Sequence, residues 1–183
     1  MADVFTIDTL RSRIDDFAKG NRYQVTFSDL PQGLSTAVNE NLQYLCEAVS
    51  LPTKGIASNA QDIYGPPREI PYRETFTEAA LSFILDDKFT VKRFFDRWQR
   101  NIINVKTGNV NYWNNFVATI NITRLSNDAS NFEIATDKYK IELREAYPSA
   151  VGEIALGHTM GGDVLKLSVN LNIENGCHLP NNI

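Results

Sequence analysis

Tyr147-Pro148-Ser149-Ala150-Val151-Gly152-Glu153-Ile154, lying between two segments of strand character late in the chain, decides the reading of the fold. Proline withholds a ladder donor and glycine permits a bend or a close approach, so the stretch reads as a corner in a β structure rather than a reaction site. Before it, in Asp137 to Ala146, Tyr139, Ile141 and Leu143 oppose Lys138, Lys140, Glu142 and Arg144. After it, in Val164 to Ile173, Leu165, Leu167, Val169, Leu171 and Ile173 oppose Lys166, Ser168, Asn170 and Asn172. Apolar residues recurring with period two are the signature of a half-buried strand.

The same alternation recurs toward the N-terminus. Ala118 to Leu125 sets Ile120 and Ile122 against Thr119, Asn121 and Thr123, and Arg22 to Ser28 sets Tyr23, Val25 and Phe27 against Gln24, Thr26 and Ser28. Leu81, Phe83 and Leu85 mark a further strand. Leu42 to Leu51 fits either a short helix or a strand, and strand is the favoured reading; Asp29 to Asn41, with Pro31 and Gly33, and Asn104 to Asn115 read as loops. Pro52 and Gly55 interrupt the chain before a long arm, Ile56 to Thr75, whose central Gly65-Pro66-Pro67 predicts a hairpin or extended excursion.

One segment has a helical period. Val91, Phe94, Phe95, Trp98 and Ile102 form a single stripe within Phe89 to Ile102, opposed by Lys92, Arg93, Asp96, Arg97 and Arg100, and Asp86-Asp87 precede it where negative charge suits the helix dipole. Ile7, Leu10, Ile14 and Phe17 predict a second, shorter amphipathic helix or arm in Thr6 to Lys19, ahead of Gly20. Five or six strands with one strong helix predict an α+β fold, mainly antiparallel.

With 183 residues, 43% of them hydrophobic, the chain suffices for one substantial core. A net charge of −4 gives no long-range attraction to phosphate backbones or anionic membranes. No apolar run approaches the roughly 20 residues of a membrane-spanning helix, and the charged N-terminus is not a signal peptide. Cys46 and Cys177 make no disulfide framework and fit a reducing compartment.

Chemistry-bearing residues are sparse. His158 lies in a loop and His178 stands beside Cys177, but adjacent residues chelate one ion poorly and no further Cys or His pair stands at ligand spacing. Phosphate-binding, dinucleotide, zinc-protease and nucleophile-elbow motifs are absent from the sequence. The cluster Lys88, Lys92, Arg93, Arg97 and Arg100 has its aromatic neighbours on the opposite stripe, so they cannot stack bases beside those charges; a solvated or partner-binding face is expected. The polar strand faces Thr119, Asn121, Thr123 and Ser168, Asn170, Asn172 are uncharged, as a wet surface that must not trap a polyanion requires.

Taken in order, the strand Tyr23 to Phe27, the segment Ala48-Val49-Ser50-Leu51-Pro52, the excursion Thr53 to Thr75, the aromatic helix around Phe95 and Trp98, the Tyr147-Pro148 corner with Val151-Gly152-Glu153-Ile154, and the closing strand Val164 to Ile173 resemble the tail tube proteins of contractile-tailed bacteriophages. The resemblance spans residues 22 to 173, and the corner is its most specific part. It implies a small β-barrel or sandwich with a flanking helix and a long assembly hairpin, similar to the inner-tube proteins of type VI secretion systems. It divides the chain into an N-terminal arm (1–21), a tube domain (22–173) and a C-terminal tail (174–183).

Family members form hexameric rings stacked into a hollow conduit for genome ejection inside a contractile sheath. By that resemblance Leu51, Pro52, Ile63, Tyr64, Arg68, Tyr147, Pro148, Gly152 and Glu153 are interface residues, Lys92, Arg93, Arg97 and Arg100 face the sheath, and Thr119, Asn121, Thr123, Ser168, Asn170 and Asn172 face the lumen. The implied partners are further copies of the chain, the sheath protein, baseplate tube-initiator proteins, the tape measure protein, and DNA in transit without tight or specific binding. No cofactor, metal, catalytic residue or membrane anchor is implied. The implied location is the virion tail, assembled in the host bacterial cytoplasm.

The additions at both ends and the long Asp29 to Asn41 segment keep open a baseplate tube-initiating paralogue, as well as the inner tube of an extracellular contractile injection system. From other classes, a small hydrolase-like enzyme would use His158 or His178 with nearby carboxylates, and a monomeric binding module would use the basic helix face.

Overall fold

The alternating segments pair in a computed structural model that describes residues 7, 20–31, 33–34, 36–61, 65–125, 139–157, 162, 164–174 and 177–178. In chain order the elements are β1 (Tyr23–Ser28), α1 (Thr36–Leu45), β2 (Cys46–Ser50), β3 (Lys54–Gln61), β4 (Arg68–Phe76), β5 (Ala79–Ile84), α2 (Thr90–Ile102), a 3-10 turn (Trp113–Asn115), β6 (Ala118–Arg124), β7 (Lys140–Val151), β8 (Lys166–Ile173) and β9 (Cys177–His178). A seven-stranded sheet runs β1-β6-β7-β8-β5-β2, with β9 added beside β7, and β3 pairs only with β4 in a separate ribbon. Every pairing is antiparallel. The fold is α+β and mainly antiparallel.

Strand β7 joins the two halves of the sheet. Its first half pairs with β6 (Thr123↔Lys140, Ile122↔Ile141), and its second half pairs with β8 (Ala146↔Ile173, Val151↔Val169). Between them the register slips, because two steps along β6 from Ala118 to Ile120 match three along β7 from Ala146 back to Leu143. The extra residue is a bulge, and Glu145 takes φ 53° there. A second slip lies between Pro148 and Ala150, where the proline's missing N–H costs the ladder least. The predicted corner is therefore a doubly bulged bend inside one strand that continues to Val151, five residues past the expected end at Ala146.

The bend lets the two half-sheets share one core in a sandwich-like arrangement. Its inner faces contribute Val25 and Phe27 from β1, Ile120 and Ile122 from β6, Leu143 from β7, Leu167, Val169 and Leu171 from β8, and Leu81 and Phe83 from β5, all buried. Helix α2 fills the space between them with Val91, Phe94, Phe95 and Trp98. Phe94 meets Phe27 edge-on at 6.4 Å between ring centroids, and Phe95 meets Phe83 at 5.4 Å, so one helix face touches strands near opposite ends of the sheet path. Trp98 is fully buried, and its indole N–H donates to the Phe116 carbonyl at 2.6 Å, so its one polar atom carries no desolvation penalty.

Of the expected barrel or sandwich the protein takes the sandwich form: β1 and β2 end the sheet path without pairing with each other, so no barrel closes, and a side chain spans the gap instead, the Tyr23 hydroxyl donating to the Cys46 carbonyl at 3.2 Å. Two expectations need correction. The expected loop Asp29 to Asn41 gives way at Thr36 to helix α1, which runs to Leu45, so the strand expected from Leu42 is only Cys46–Ser50. The segment Asn104 to Asn115 contains a 3-10 turn and a bridge from Val110 back to Ile103. The N-terminal helix expected in Thr6 to Lys19 lies outside the described residues except for Ile7.

Candidate assembly surfaces

Among the described residues no layer covers the β3-β4 ribbon. Ile56, Ile70 and Tyr72 are 68%, 44% and 67% exposed. Ile56 stands opposite Glu74 and Ile70 opposite Asn59, and the bulge between Ala57 and Ser58 leaves Ile56 and Ile70 on opposite faces of the ribbon. An isolated two-stranded ribbon is marginal in water, and large apolar groups exposed on both of its faces sharpen that imbalance. The Lys54–Glu74 ion pair at 2.8 Å and the Ser58 hydroxyl donating to Glu69 at 3.1 Å hold the ribbon laterally.

Of the arm residues singled out from the sequence, Arg68 opens β4 opposite Gln61, Leu51 is half exposed at the end of β2, and Pro52 follows it. Ile63 and Tyr64 lie outside the described residues. The sequence reading did not single out Ile56, Ile70 and Tyr72; the signal available was large apolar residues in a ribbon too short to enclose a core.

At the bend, three of the four expected interface residues have intramolecular partners. The Tyr147 ring packs edge-on against Trp113 and Phe116, each at 5.7 Å, and its hydroxyl accepts the Asn172 amide N–H at 2.7 Å. Pro148 is buried opposite Leu171. Gly152 donates its N–H to the Ser168 carbonyl at 2.7 Å, and a Cβ at this position would collide with the Ser168 side chain and lie 2.9 Å from its carbonyl oxygen. Glu153 alone is exposed.

The polar strand faces lie in two tracts opposite the core, one on β1 and β6 and one on β5 and β8. Ser28, Thr26 and Gln24 stand across from Thr119, Asn121 and Thr123, while Ser168 and Asn170 stand across from Ser82 and Ala80. Asn121 donates to the Ser28 hydroxyl at 3.0 Å, which in turn donates to the Thr119 carbonyl at 3.3 Å. Between these two tracts β7 carries an Arg144–Glu142 pair at 3.2 Å, and beyond them Lys166 on β8 pairs with Glu47 on β2 at 2.5 Å. Lys140, opposite Thr123, joins no ion pair among the described residues.

Helix α2 is held at its N-terminus by Asp86. One carboxylate oxygen accepts the Thr90 N–H at 2.7 Å and the other accepts the Thr90 hydroxyl at 2.6 Å, and the Thr90 side chain is the main cause holding the Asp86 carboxyl below its ordinary range. On the outer face Lys92 pairs with Asp96 at 2.6 Å. Arg93, Arg97 and Arg100 are exposed and join no ion pair among the described residues.

Near the open seam, burial pushes the half-buried Cys46 thiol up to about 11, so it stays protonated at neutral pH. A cleft of about 390 Å³, lined by Tyr23, Val49, Leu51, Ile122, Tyr139 and Ile141 among others, opens beside it. Among the described residues no three His, Cys, Asp or Glu side chains gather to hold a metal. His158 lies outside the described residues, and His178 stands in β9 opposite Glu142.

Among the described residues the apolar ribbon, the polar sheet face and the arginines of the basic helix face are left in solvent. The chain belongs to the phage tail tube protein family, whose model matches residues 18–175. No curated protein matches its sequence.

Its fold is similar to chains in solved assemblies. One is the PVC sheath/tube terminator of an extracellular contractile injection system in the extended state, with TM-score 0.59 and 14% identity over 88% of this chain and 95% of that one. Another is the PVC sheath-tube complex in the extended state, with TM-score 0.58 and 12% identity over 93% and 95%. A third is the tube-terminating cap of the anti-feeding prophage, with TM-score 0.58 and 14% identity over 93% of each chain. At these identities the likeness establishes the fold.

Proposed function

We propose that this chain is the repeating subunit of a tail tube, forming hexameric rings that stack into a hollow conduit inside a contractile sheath, through which a genome is ejected. The observation that carries the reading is the β3-β4 ribbon, an arm with three exposed large apolar residues and no layer over it among the described residues. A second copy is the natural cover in a family of tube proteins. The open edges at β1 and β2 would likewise be relieved by pairing between copies.

In this reading the face bearing Thr119, Asn121, Thr123, Ser168, Asn170 and Asn172 lines the lumen. Its amides, hydroxyls and paired ions hydrate a passing polyanion without offering the unpaired cation rows that release counterions and bind tightly. Arg93, Arg97 and Arg100 face outward toward an acidic strip of the sheath. Baseplate initiator and tape measure proteins complete the assembly in the virion tail, built in the host bacterial cytoplasm. The role is mechanical rather than catalytic.

A second reading, the inner tube of an extracellular contractile injection system, draws on the similarity to chains of the PVC and anti-feeding prophage assemblies. Its cargo would be protein. Assembling the purified chain and measuring DNA passage or retention separates the two, because a phage tube transmits DNA while an injection tube is loaded with polypeptide. Negative-stain electron microscopy across a concentration series tests the shared core of both.

A further inference from the structure

The cleft of about 390 Å³ at the open seam runs along a strand edge. Three consecutive residues of β2, Glu47, Ala48 and Val49, line one side of it, and Gly20, Arg22 and Tyr23, at the entry to β1, line the other. Successive side chains of a strand point to opposite faces, so a cleft that touches three in a row lies against the strand's edge rather than on one of its faces. Among the described residues β2 pairs only with β5, which leaves that edge unpaired, and Glu47 falls in the slip of register between Cys46 and Ala48. Ile122, Ile141 and Leu51 make the lining apolar. An open edge beside an apolar cleft invites pairing with another chain unless a helix or loop covers it.

We propose that residues 6–19 are that cover in their own chain, with Ile14 and Phe17 seated in the cleft, and that the seated segment withholds the β2 edge from a second copy. The inference rests on the tube reading and adds a control on when the edge becomes available. Phe17 stands three residues before Gly20, itself a wall of the cleft, so the chain between them spans at most roughly 11 Å and keeps Phe17 at its mouth. Ile14 precedes Phe17 by three residues on the same helical stripe. Ile7, at the far end of the stripe, is 71% exposed, in agreement with a seat that takes only the near end; about 15 Å of helix separates it from Phe17. The segment 126–138 also adjoins the cleft, next to Tyr139, but its large apolar residues Phe132 and Ile134 stand two apart and make no helical stripe.

Cover and partner compete for one set of residues, since Glu47 to Val49 cannot lie under the chain's own segment and pair with a strand of another copy at once. A short tether gives the cover an effective concentration on the order of millimolar. Copies in dilute solution lose that competition, whereas a ring that presents its edges at fixed positions wins it.

The test uses the full chain with Cys46→Ser and Cys177→Ser, carrying Phe17→Cys and Leu51→Cys, oxidised at low concentration. A disulfide within the monomer that forms several-fold faster than one between Phe17→Cys and Lys140→Cys supports the seat. Lys140 is flanked by Tyr139 and Ile141, which line the cleft, but alternation puts it on the opposite face, so a tether that does not seat reaches both positions alike. Equal rates, a link only between chains, or a link from Phe132→Cys in place of Phe17→Cys overturns the proposal. Ile14→Cys with Leu51→Cys repeats the measurement should the Phe17 variant not fold. Electron microscopy reads the control: the oxidised chain should form no tubes until reduced, and Phe17→Asp should form them at a several-fold lower concentration than the wild type. Tubes that grow equally from the oxidised and reduced chains overturn the cover alone. A link without tubes from any chain, the wild type with baseplates included, overturns the tube reading and with it the edge's partner, while the seat stands.

Discussion

Trp113 donates its indole N–H to the carboxylate of Glu145 at 3.2 Å, and Glu145 is the residue held at φ 53° where β7 bends from one half-sheet into the other. A non-glycine residue in that conformation is costly unless its surroundings fix it. The Trp113 ring also lies against Phe116 and Tyr147, so one side chain braces the bend from both directions.

Trp113→Phe keeps the ring contacts and loses the hydrogen bond, and should cost about 1 kcal/mol in urea unfolding. Trp113→Ala removes both and should cost about 2 to 3 kcal/mol, below the range for a fully buried tryptophan because the ring is 37% exposed. Equal losses for the two variants would show that the hydrogen bond, and not the ring packing, braces the bend.

Gly152→Ala forces a Cβ into the Ser168 side chain and against its carbonyl oxygen. Overpacking of this kind costs about 1 to 3 kcal/mol. Adding Ser168→Ala should recover part of the loss and not all, since the carbonyl contact at 2.9 Å remains. Full recovery in thermal melts would show that the backbone approach is unimportant.

The two substitutions bear on what the sequence could and could not disclose. Period-two alternation revealed β1, β6, β7 and β8 because each buries one face, and the stripe Val91, Phe94, Phe95, Trp98 revealed α2. Tyr147-Pro148 concealed the true length of β7, since proline ordinarily ends a strand and only bulged pairing lets this one continue. Helix α1 was obscured because Asn41, Gln43 and Tyr44 interrupt its apolar face and Leu42 is its one fully buried residue whose side chain is described. The polar strand faces and the basic helix face were legible as classes of residue, because period-two and helical spacing separate them from the buried side chains. The exposed loop carrying Val105, Val110 and Tyr112 had no periodic signal, for its order comes from asparagine hydrogen bonds specific to its three-dimensional path.

Asp86 gives α2 a pH dependence. Its folded-state value lies below the ordinary carboxylate range, chiefly through the Thr90 side-chain hydrogen bond, so its contribution is complete above the unfolded value and is lost as pH falls through the depressed one. Asp86→Ala should cost about 1 kcal/mol at neutral pH, as loss of a helix cap does. The penalty should shrink in acid, where the wild-type carboxylate is protonated; a penalty that is unchanged at pH 3 in chemical denaturation would remove the charge from the argument.

Cys46 behaves in the opposite sense. Burial raises its thiol from 9.0 to about 11, so the neutral form is favoured in the folded state, and the stability this contributes is full below the unfolded value and lost as pH rises toward 11. In a Cys177→Ser background, alkylation of Cys46 should be slow at pH 8 and accelerate only well above the ordinary thiol range, whereas the urea-unfolded chain should react readily at pH 8. Rapid alkylation of the folded protein at pH 8 would contradict the burial.

The most direct test of the central claim is negative-stain electron microscopy of the purified chain over a concentration series, alone and with isolated tail baseplates. The tube reading predicts rings of six that stack into hollow tubes, either spontaneously or from the baseplate. A chain that stays monomeric at every concentration and extends no tube from a baseplate would contradict it.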